Sequence, residues 1–341
     1  FEEIYDYSDK MELNVDTLIH EVGAGQMEIN FFHAQPLGLA DEVFLFKRTV
    51  REAALRHDMY ATFMAKPISS EPGSAMHVHQ SILNKATGQN IFSNEDGSPS
   101  EAFMHYIGGL QRYIPAAMVL VAPYVNSYRR LSRNTAAPIN IEWGYDNRTV
   151  GIRSPISSPQ ARRVENRVIG ADANPYVALA MTLACGYLGL KNKIKPKAEM
   201  KGDAYLSAYS LPRSLGEALD WLRRESDLHE VLGKGQDGVP QIVAWRTEGG
   251  NIERNKPHLV SSRDPPDLGG DHADPRPGVL GGQAASQLLE DGARVVAAVG
   301  GVLVADHSVC DSLHDFVGGG CTPRDVQGDS LHPVVGWVSH D

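Results

Sequence analysis

Met76-His77-Val78-His79-Gln80-Ser81-Ile82 alternates residue by residue. Side chains of a β-strand change face at every position, so i, i+2 and i+4 share one side. Met76, Val78 and Ile82, with Gln80, therefore take one face, and His77, His79 and Ser81 take the other. Arg163-Val164-Glu165-Asn166-Arg167 repeats the pattern and aligns Arg163, Glu165 and Arg167. One imidazole on such a face is usually a hydrogen-bonded structural histidine, but two polar ladders, each backed by apolar or small residues, do not read as plain core. Outward from these ladders, Glu21, Glu28, Arg148 and Arg153 fall in further short β-like segments. Carboxylates with an imidazole suit a hard divalent cation, and guanidinium groups facing them suit a phosphoryl group. The pattern predicts a divalent-metal and nucleotide-phosphate site.

Composition bounds the reading. At 341 residues with 42% hydrophobic content the chain can bury a real core. A formal charge of -10 argues against a nucleic-acid partner, because a phosphate backbone demands clustered Lys and Arg. The three cysteines, Cys185, Cys310 and Cys321, form neither a metal-like CxxC nor an even framework, which points to a reducing cytoplasm. No signal peptide is evident, and the apolar run from Ala116 to Pro123 is too short to span a bilayer, so no membrane partner is expected.

Local signals predict an α+β domain. Leu39, Val43, Phe46 and Val50 recur at helical spacing over about Pro36 to His57. Ser98-Pro99-Ser100-Glu101 reads as a capping box opening a helix towards Pro123. Asn174-Pro175 opens an apolar helix through Leu190, and Ser214-Leu215-Gly216-Glu217 caps another to about Arg224. Ile139 to Trp143 and Thr149 to Arg153, joined through Asp146-Asn147, read as a hairpin presenting Arg148 and Arg153.

The wording of the sequence goes further. His20-Glu21-Val22-Gly23-Ala24-Gly25-Gln26-Met27-Glu28, Lys66-Pro67 followed by Gly73-Ser74-Ala75-Met76-His77-Val78-His79, Asn147-Arg148 with Ile152-Arg153, and Arg163 to Arg167 leading into Asn174-Pro175-Tyr176 closely resemble the glutamine synthetase catalytic domain. Asn126-Ser127-Tyr128-Arg129-Arg130, Ala136-Ala137-Pro138 with Trp143-Gly144, and Gly170 to Asn174 look most like glutamate-polyamine ligases of the γ-glutamylputrescine synthetase type. The resemblance covers roughly residues 1–232. It implies an antiparallel sheet with flanking helices, ATP as co-substrate, two or more Mg²⁺ or Mn²⁺ ions per site, and a homo-oligomeric ring. Glu21 and Glu28 match the acids of one metal site, and His77 and Glu165 match ligands of another. Gly73, Arg130 and Arg167 match the groups that hold glutamate. Arg148 and Arg153 match phosphate-facing catalytic arginines, while Ser81, Arg163 and His79 lie on the nucleotide side.

One departure bears on the acceptor. Where ammonia-using members carry a flap glutamate, six residues beyond the arginine matched by Arg130, this chain has Ala136. Alanine cannot attract ammonium or strip a proton from it, so a larger amine, putrescine or another polyamine, is expected. An ammonia-using glutamine synthetase and a catalytically silent truncated relative remain as alternatives.

Both ends depart from the family pattern. The resemblance implies a small amino-terminal β-grasp domain and a strand whose Glu-x-Glu pair completes both metal sites; neither is read in these residues, so each metal site is expected to be short of a ligand and these residues alone are expected to bind metal weakly and turn over little. From Gly233 to Asp341 the chain holds 18 of its 33 glycines but no tyrosine or methionine. Such a change predicts an atypical Gly/Pro-rich tail, frameshifted or disordered, in which Val295 to Ala305 is apolar enough for one buried element. The tail's histidines are too irregularly spaced to be assigned a metal.

Overall fold

The structure, a computed structural model, describes residues 2–233 in full and the backbone of 293–306. The expected aperiodic segments at 262–266 and 318–320 lie outside the described residues.

Strands β1 (Val15–His20), β2 (Gln26–Phe31), β3 (Met59–Thr62), β4 (His77–Asn84), β5 (Trp143–Tyr145), β6 (Ile152–Ser154), β7 (Val164–Asn166) and β8 (Ala293–Asp306) form one sheet. Its order is β1-β2-β8-β4-β7-β6-β5, with β3 also paired to β8. The stretch expected to hold one buried element is thus a strand, and it joins the β1-β2 hairpin to β4. Gly300 stands opposite Asn30 on one side and His77 on the other.

Period-two alternation decides which face becomes core. On β2, Met27, Ile29 and Phe31 are buried, and Phe31 meets Phe46 of helix α2 (Pro36–Leu55) edge-on, with ring centroids 5.2 Å apart. On β4, Val78 and Ile82 are sealed, and the amide oxygen of Gln80 accepts a hydrogen bond from the Tyr106 hydroxyl of α3 (Glu101–Val121). On β7, Asn166 Nδ2 donates to Thr182 Oγ1 of α5 (Pro175–Lys191) at 3.2 Å. Helices α2, α3 and α5 therefore back one side, and Glu28, His77 and Glu165 are left on the other. Two shorter helices, α6 (Leu215–Arg223) and α7 (Ser226–Leu232), pack their apolar faces onto the helical side, and α1 (Glu2–Lys10) and the four-residue α4 (Ser127–Arg130) complete the series.

Most helix signals were placed correctly. Asn174 Oδ1 accepts from the backbone N–H of Tyr176 and Val177, and Ser214 Oγ accepts from that of Glu217. Two expectations need correction. The cap of α3 is Ser100, whose hydroxyl accepts from Phe103 N at 3.1 Å, while Ser98 bonds Asp96 instead. The segments around Arg148 are no hairpin: β5 and β6 pair in parallel, Trp143 against Ile152, so the sheet is mixed rather than antiparallel throughout. The reversal lies in the connection, where Asp146 takes φ 42° and its N–H donates to Ser154 O.

Helices α3 and α5 approach so closely that side chains are excluded. A Cβ at Gly189 would lie 2.2 Å from His105 O and 2.6 Å from the Gly109 backbone. Alanine at this helical position gains about 1 kcal/mol of propensity. Overpacking against backbone that cannot rotate away costs about 1–3 kcal/mol. A 2.2 Å approach to a carbonyl oxygen belongs at the upper end of that cost, so Gly189→Ala is expected to lower the unfolding free energy by about 2 kcal/mol in a urea melt, and an unchanged or raised midpoint would show that the helices are not this close.

Candidate active site

Glu165 of β7 is the hub of the polar face. It is fully buried and accepts from Arg167 Nη1 at 2.7 Å and Arg153 Nη1 at 3.0 Å, and His77 Nδ1 lies 3.3 Å away. Burial alone would raise its pKa. The guanidinium charges of Arg167 and then Arg153 overturn that and hold it well below the usual carboxylate range. Arg153 also donates Nη2 to Asp146 Oδ1 at 3.0 Å, so two acids fix its orientation.

The two histidines of the β4 ladder are neutral. Burial, reinforced by the Arg167 charge, pushes His77 well below the ordinary imidazole value. Burial likewise takes His79 down to about 4. His79 faces Glu165 across the β4-β7 pair, and its Nδ1 accepts from Arg163 Nε at 3.3 Å, which puts the ring proton on Nε2. Ser81 lies half-buried two residues further along the same face.

On the opposite side of the face stand Glu21, just past β1, and Glu28 on β2. Glu28 is fully buried and neither carboxylate oxygen has a hydrogen-bond partner of good geometry, while Glu21 Oε1 is equally orphaned. Burial pushes Glu28 up to about 8; the Asn30 side chain lowers it a little, and the negative charges of Glu21 and Glu165 raise it further. Glu21 is raised too, chiefly by burial, and Arg148 draws both acids back down. That coupling places Arg148, carried on the β5-β6 connection, beside the acid pair. The neighbouring Asn147 anchors that connection by donating to Met200 O and Gly202 O at 3.2 and 2.8 Å.

Arg130 and Gly73 form a third group. Arg130 is buried and donates to Val168 O and Arg167 O, each at 2.9 Å; burial brings its pKa down to about 10, so it stays charged at neutral pH. Gly73 is pressed against it: a Cβ there would lie 2.7 Å from Arg130 Cγ and 2.6 Å from Ala65 O. Its carbonyl already accepts from Gln26 Nε2 at 3.0 Å.

The residues singled out in the sequence thus share one face, but they are not one cage. Among the described residues no three His, Cys, Asp or Glu side chains are gathered closely enough to hold a metal ion unaided. The expected ligands divide into Glu21 with Glu28, three of whose four carboxylate oxygens lack partners, and His77 with Glu165, whose charge the arginines compensate. Orphaned, buried carboxylate oxygens fit a divalent cation, since desolvation without compensation costs several kcal/mol. Such an ion would neutralise phosphate charge there. The sequence reading missed Gln26, Asp146 and Asn147. Gln26 and Asn147 were inside quoted motifs, but nothing in a one-dimensional pattern reveals a cross-loop hydrogen bond.

Residues 1–243 match the family described as "Glutamine synthetase, catalytic domain". The chain belongs to the glutamine synthetase family. It is 41% identical over 241 residues to a glutamine synthetase of Pyrococcus abyssi, covering 68% of this chain and 54% of that protein. A glutamine synthetase of Streptomyces coelicolor is 39% identical over 247 residues, 69% of this chain and 52% of the relative. A glutamate–isopropylamine ligase of a Pseudomonas species is 37% identical over 238 residues, 68% and 52%. The chain therefore spans about half the length of the curated relatives it matches. Members of this family are ATP-dependent carbon–nitrogen ligases that use divalent metals. Among the described residues no helix is long and apolar enough to cross a membrane.

The raised pKa of Glu28 has a thermodynamic signature. Between the ordinary carboxylate value and about 8 the folded state holds a proton that the unfolded state has lost, so stability falls as pH rises through that window. Without divalent ions the unfolding free energy is expected to drop by about 3–4 kcal/mol from pH 5 to 8. Saturating Mn²⁺ should erase the drop, and so should Glu28→Gln, which should also abolish the Mn²⁺ effect. A Glu28→Gln protein with the original slope would contradict the assignment.

Proposed function

We propose that this chain carries the catalytic part of an ATP-dependent ligase that joins the γ-carboxylate of glutamate to an amine with its own carbon chain. The observation that carries the choice of acceptor is Ala136. It sits exposed on the loop between Arg130 and the 137–141 segment, at φ 58°, with only a methyl group to offer. The loop is stapled by Thr135 Oγ1 donating to Arg130 O at 3.2 Å and by Tyr205 OH donating to Ala137 O at 3.1 Å. A carboxylate at this position would attract ammonium and take its proton; a methyl group leaves the acceptor to be held by contacts along its own chain. Putrescine or another polyamine is the acceptor the sequence wording favours. The Pseudomonas relative named for isopropylamine supports a carbon-chain amine more generally.

The reaction proceeds in two displacements. An oxygen of the glutamate γ-carboxylate attacks the γ-phosphorus of ATP and ADP leaves, giving an acyl phosphate. The amine nitrogen then attacks the acyl carbon, loses a proton, and inorganic phosphate departs. In this reading Arg130, Arg167 and the Gly73 carbonyl hold glutamate, and Arg163, Ser81 and His79 line the nucleotide side. Arg148 stabilises charge on the moving phosphoryl group, its planar and permanent cation needing no proton transfer. Arg153 is braced by Glu165 and Asp146 to face the same phosphate. Glu21, Glu28, His77 and Glu165 would supply ligands to two or more Mg²⁺ or Mn²⁺ ions, with further ligands from outside the described residues. Assembly into a ring of like subunits belongs to the same proposal.

The 39–41% identity to proteins named glutamine synthetase favours ammonia as the second reading. Incubation of the full-length protein with Mn²⁺, ATP and L-glutamate should yield γ-glutamyl amides of putrescine or isopropylamine at least about 10-fold faster than glutamine from equimolar ammonium, a difference of about 1.4 kcal/mol in barrier. Faster turnover of ammonium would defeat the carbon-chain acceptor.

A further inference from the structure

Two loops meet behind the acid pair. Gln26 opens β2, two residues before Glu28, and its carboxamide is 1% exposed. Its Oε1 accepts from Gly23 N at 3.1 Å, closing the turn that begins at Glu21. Its Nε2 donates to Gly73 O at 3.0 Å and lies 3.4 Å from Ser74 Oγ, in the loop that leads into β4. There is no room for drift: a Cβ at Gly23 would lie 2.4 Å from Gln26 Oε1. A second tie runs in parallel at the surface. Glu71 Oε2 accepts from Ala24 N at 3.0 Å, and Lys66 Nζ donates to Glu71 O. Beyond Gly73 stands the side chain of Arg130, whose guanidinium bridges to Arg167 O and thence, through Arg167, to Glu165.

We infer that the Gln26 carboxamide couples divalent-cation binding at Glu21 and Glu28 to carboxylate binding at Arg130, as a positioning residue that touches neither ligand. The inference rests on the reading of the site given above, and it adds the link between its two halves. Glu21 and Gln26 belong to one turn, closed by Glu21 N donating to Gln26 O at 2.8 Å, so a cation that orders the acid also orders the amide. The amide donor then fixes the Gly73 carbonyl and with it the wall against which Arg130 packs. A carboxylate ligand arriving at Arg130 meets a surface already set, and by thermodynamic reciprocity it favours the cation in turn.

The test is a coupling measurement on the full chain, made by calorimetric titration with MnCl₂ and L-glutamate and needing no turnover. In the unmutated protein saturating Mn²⁺ should tighten L-glutamate at least about 5-fold, with the same factor for Mn²⁺ when glutamate is saturating. Gln26→Met should keep its Mn²⁺ Kd within about 3-fold while the coupling factor falls below about 2, an outcome that a general loss of structure would not give. Glu71→Ala, at the exposed tie, should lower the factor without abolishing it, and it serves as the test should Gln26→Met fail to fold. Both ligands binding without mutual effect, or variants with the original factor, would overturn the inference while leaving the proposed function standing. Failure of the unmutated chain to bind Mn²⁺ and glutamate at all would overturn both.

Discussion

Two buried glutamates of the same sheet face carry opposite electrostatic fates, and the organisation of the site follows from that contrast. Glu165 is sealed beside the neutral His77 ring and between Arg167 and Arg153, whose charges compensate its own and hold it ionised. Glu28 is sealed with no such partner, beside Glu21, and burial pushes it up to about 8. A buried polar atom without a partner costs about 1–3 kcal/mol, more when charged, so a protein retains one where something else is to supply the partner. The deficit of positive charge lies at Glu21 and Glu28, and that is where a divalent ion would gain most. Glu165, its charge already met, also orients Arg153, Arg167 and the His77 ring.

The fold makes this possible by separating the two faces of the strands. Val78, Ile82, Met27, Ile29 and Val164 stand on helices α2, α3 and α5, of which α3 and α5 meet at glycine-lined contacts. Charged groups one residue away along each strand are thereby brought together on the opposite face, where Glu28, His77 and Glu165 are buried. The β5-β6 connection brings Arg148 to this face because Asp146 turns the chain at φ 42° and Asn147 pins it to the 200–202 segment. Position follows from packing elsewhere.

Much of this was legible in the residues. The period-two ladders at 76–82 and 163–167 assigned faces correctly, since alternation follows directly from strand geometry. Helices with strong caps, at Asn174 and Ser214, were also readable, because a cap is a local bond between a side chain and nearby backbone. The parallel pairing of β5 with β6 was not legible. Three-residue strands carry too little pattern to show direction, and Asp146 in the left-handed region gives no distinct signal. Nor could the ladder tell Glu28 from Glu165, because alternation says which face a side chain takes and not which charges reach it from other strands. Gln26 sat inside the motif quoted for its acids; its partners, 47 and 48 residues away, are set by tertiary packing.

The claim that Glu21 and Glu28 form the half-site awaiting a cation is tested most directly by anomalous scattering at the manganese edge from crystals of the chain grown with Mn²⁺. The account predicts a peak within about 2.5 Å of oxygens from both Glu21 and Glu28, on the face shared with His77. Manganese found at His77 and Glu165 with Glu28 still unliganded, or at no position on this face, would contradict it.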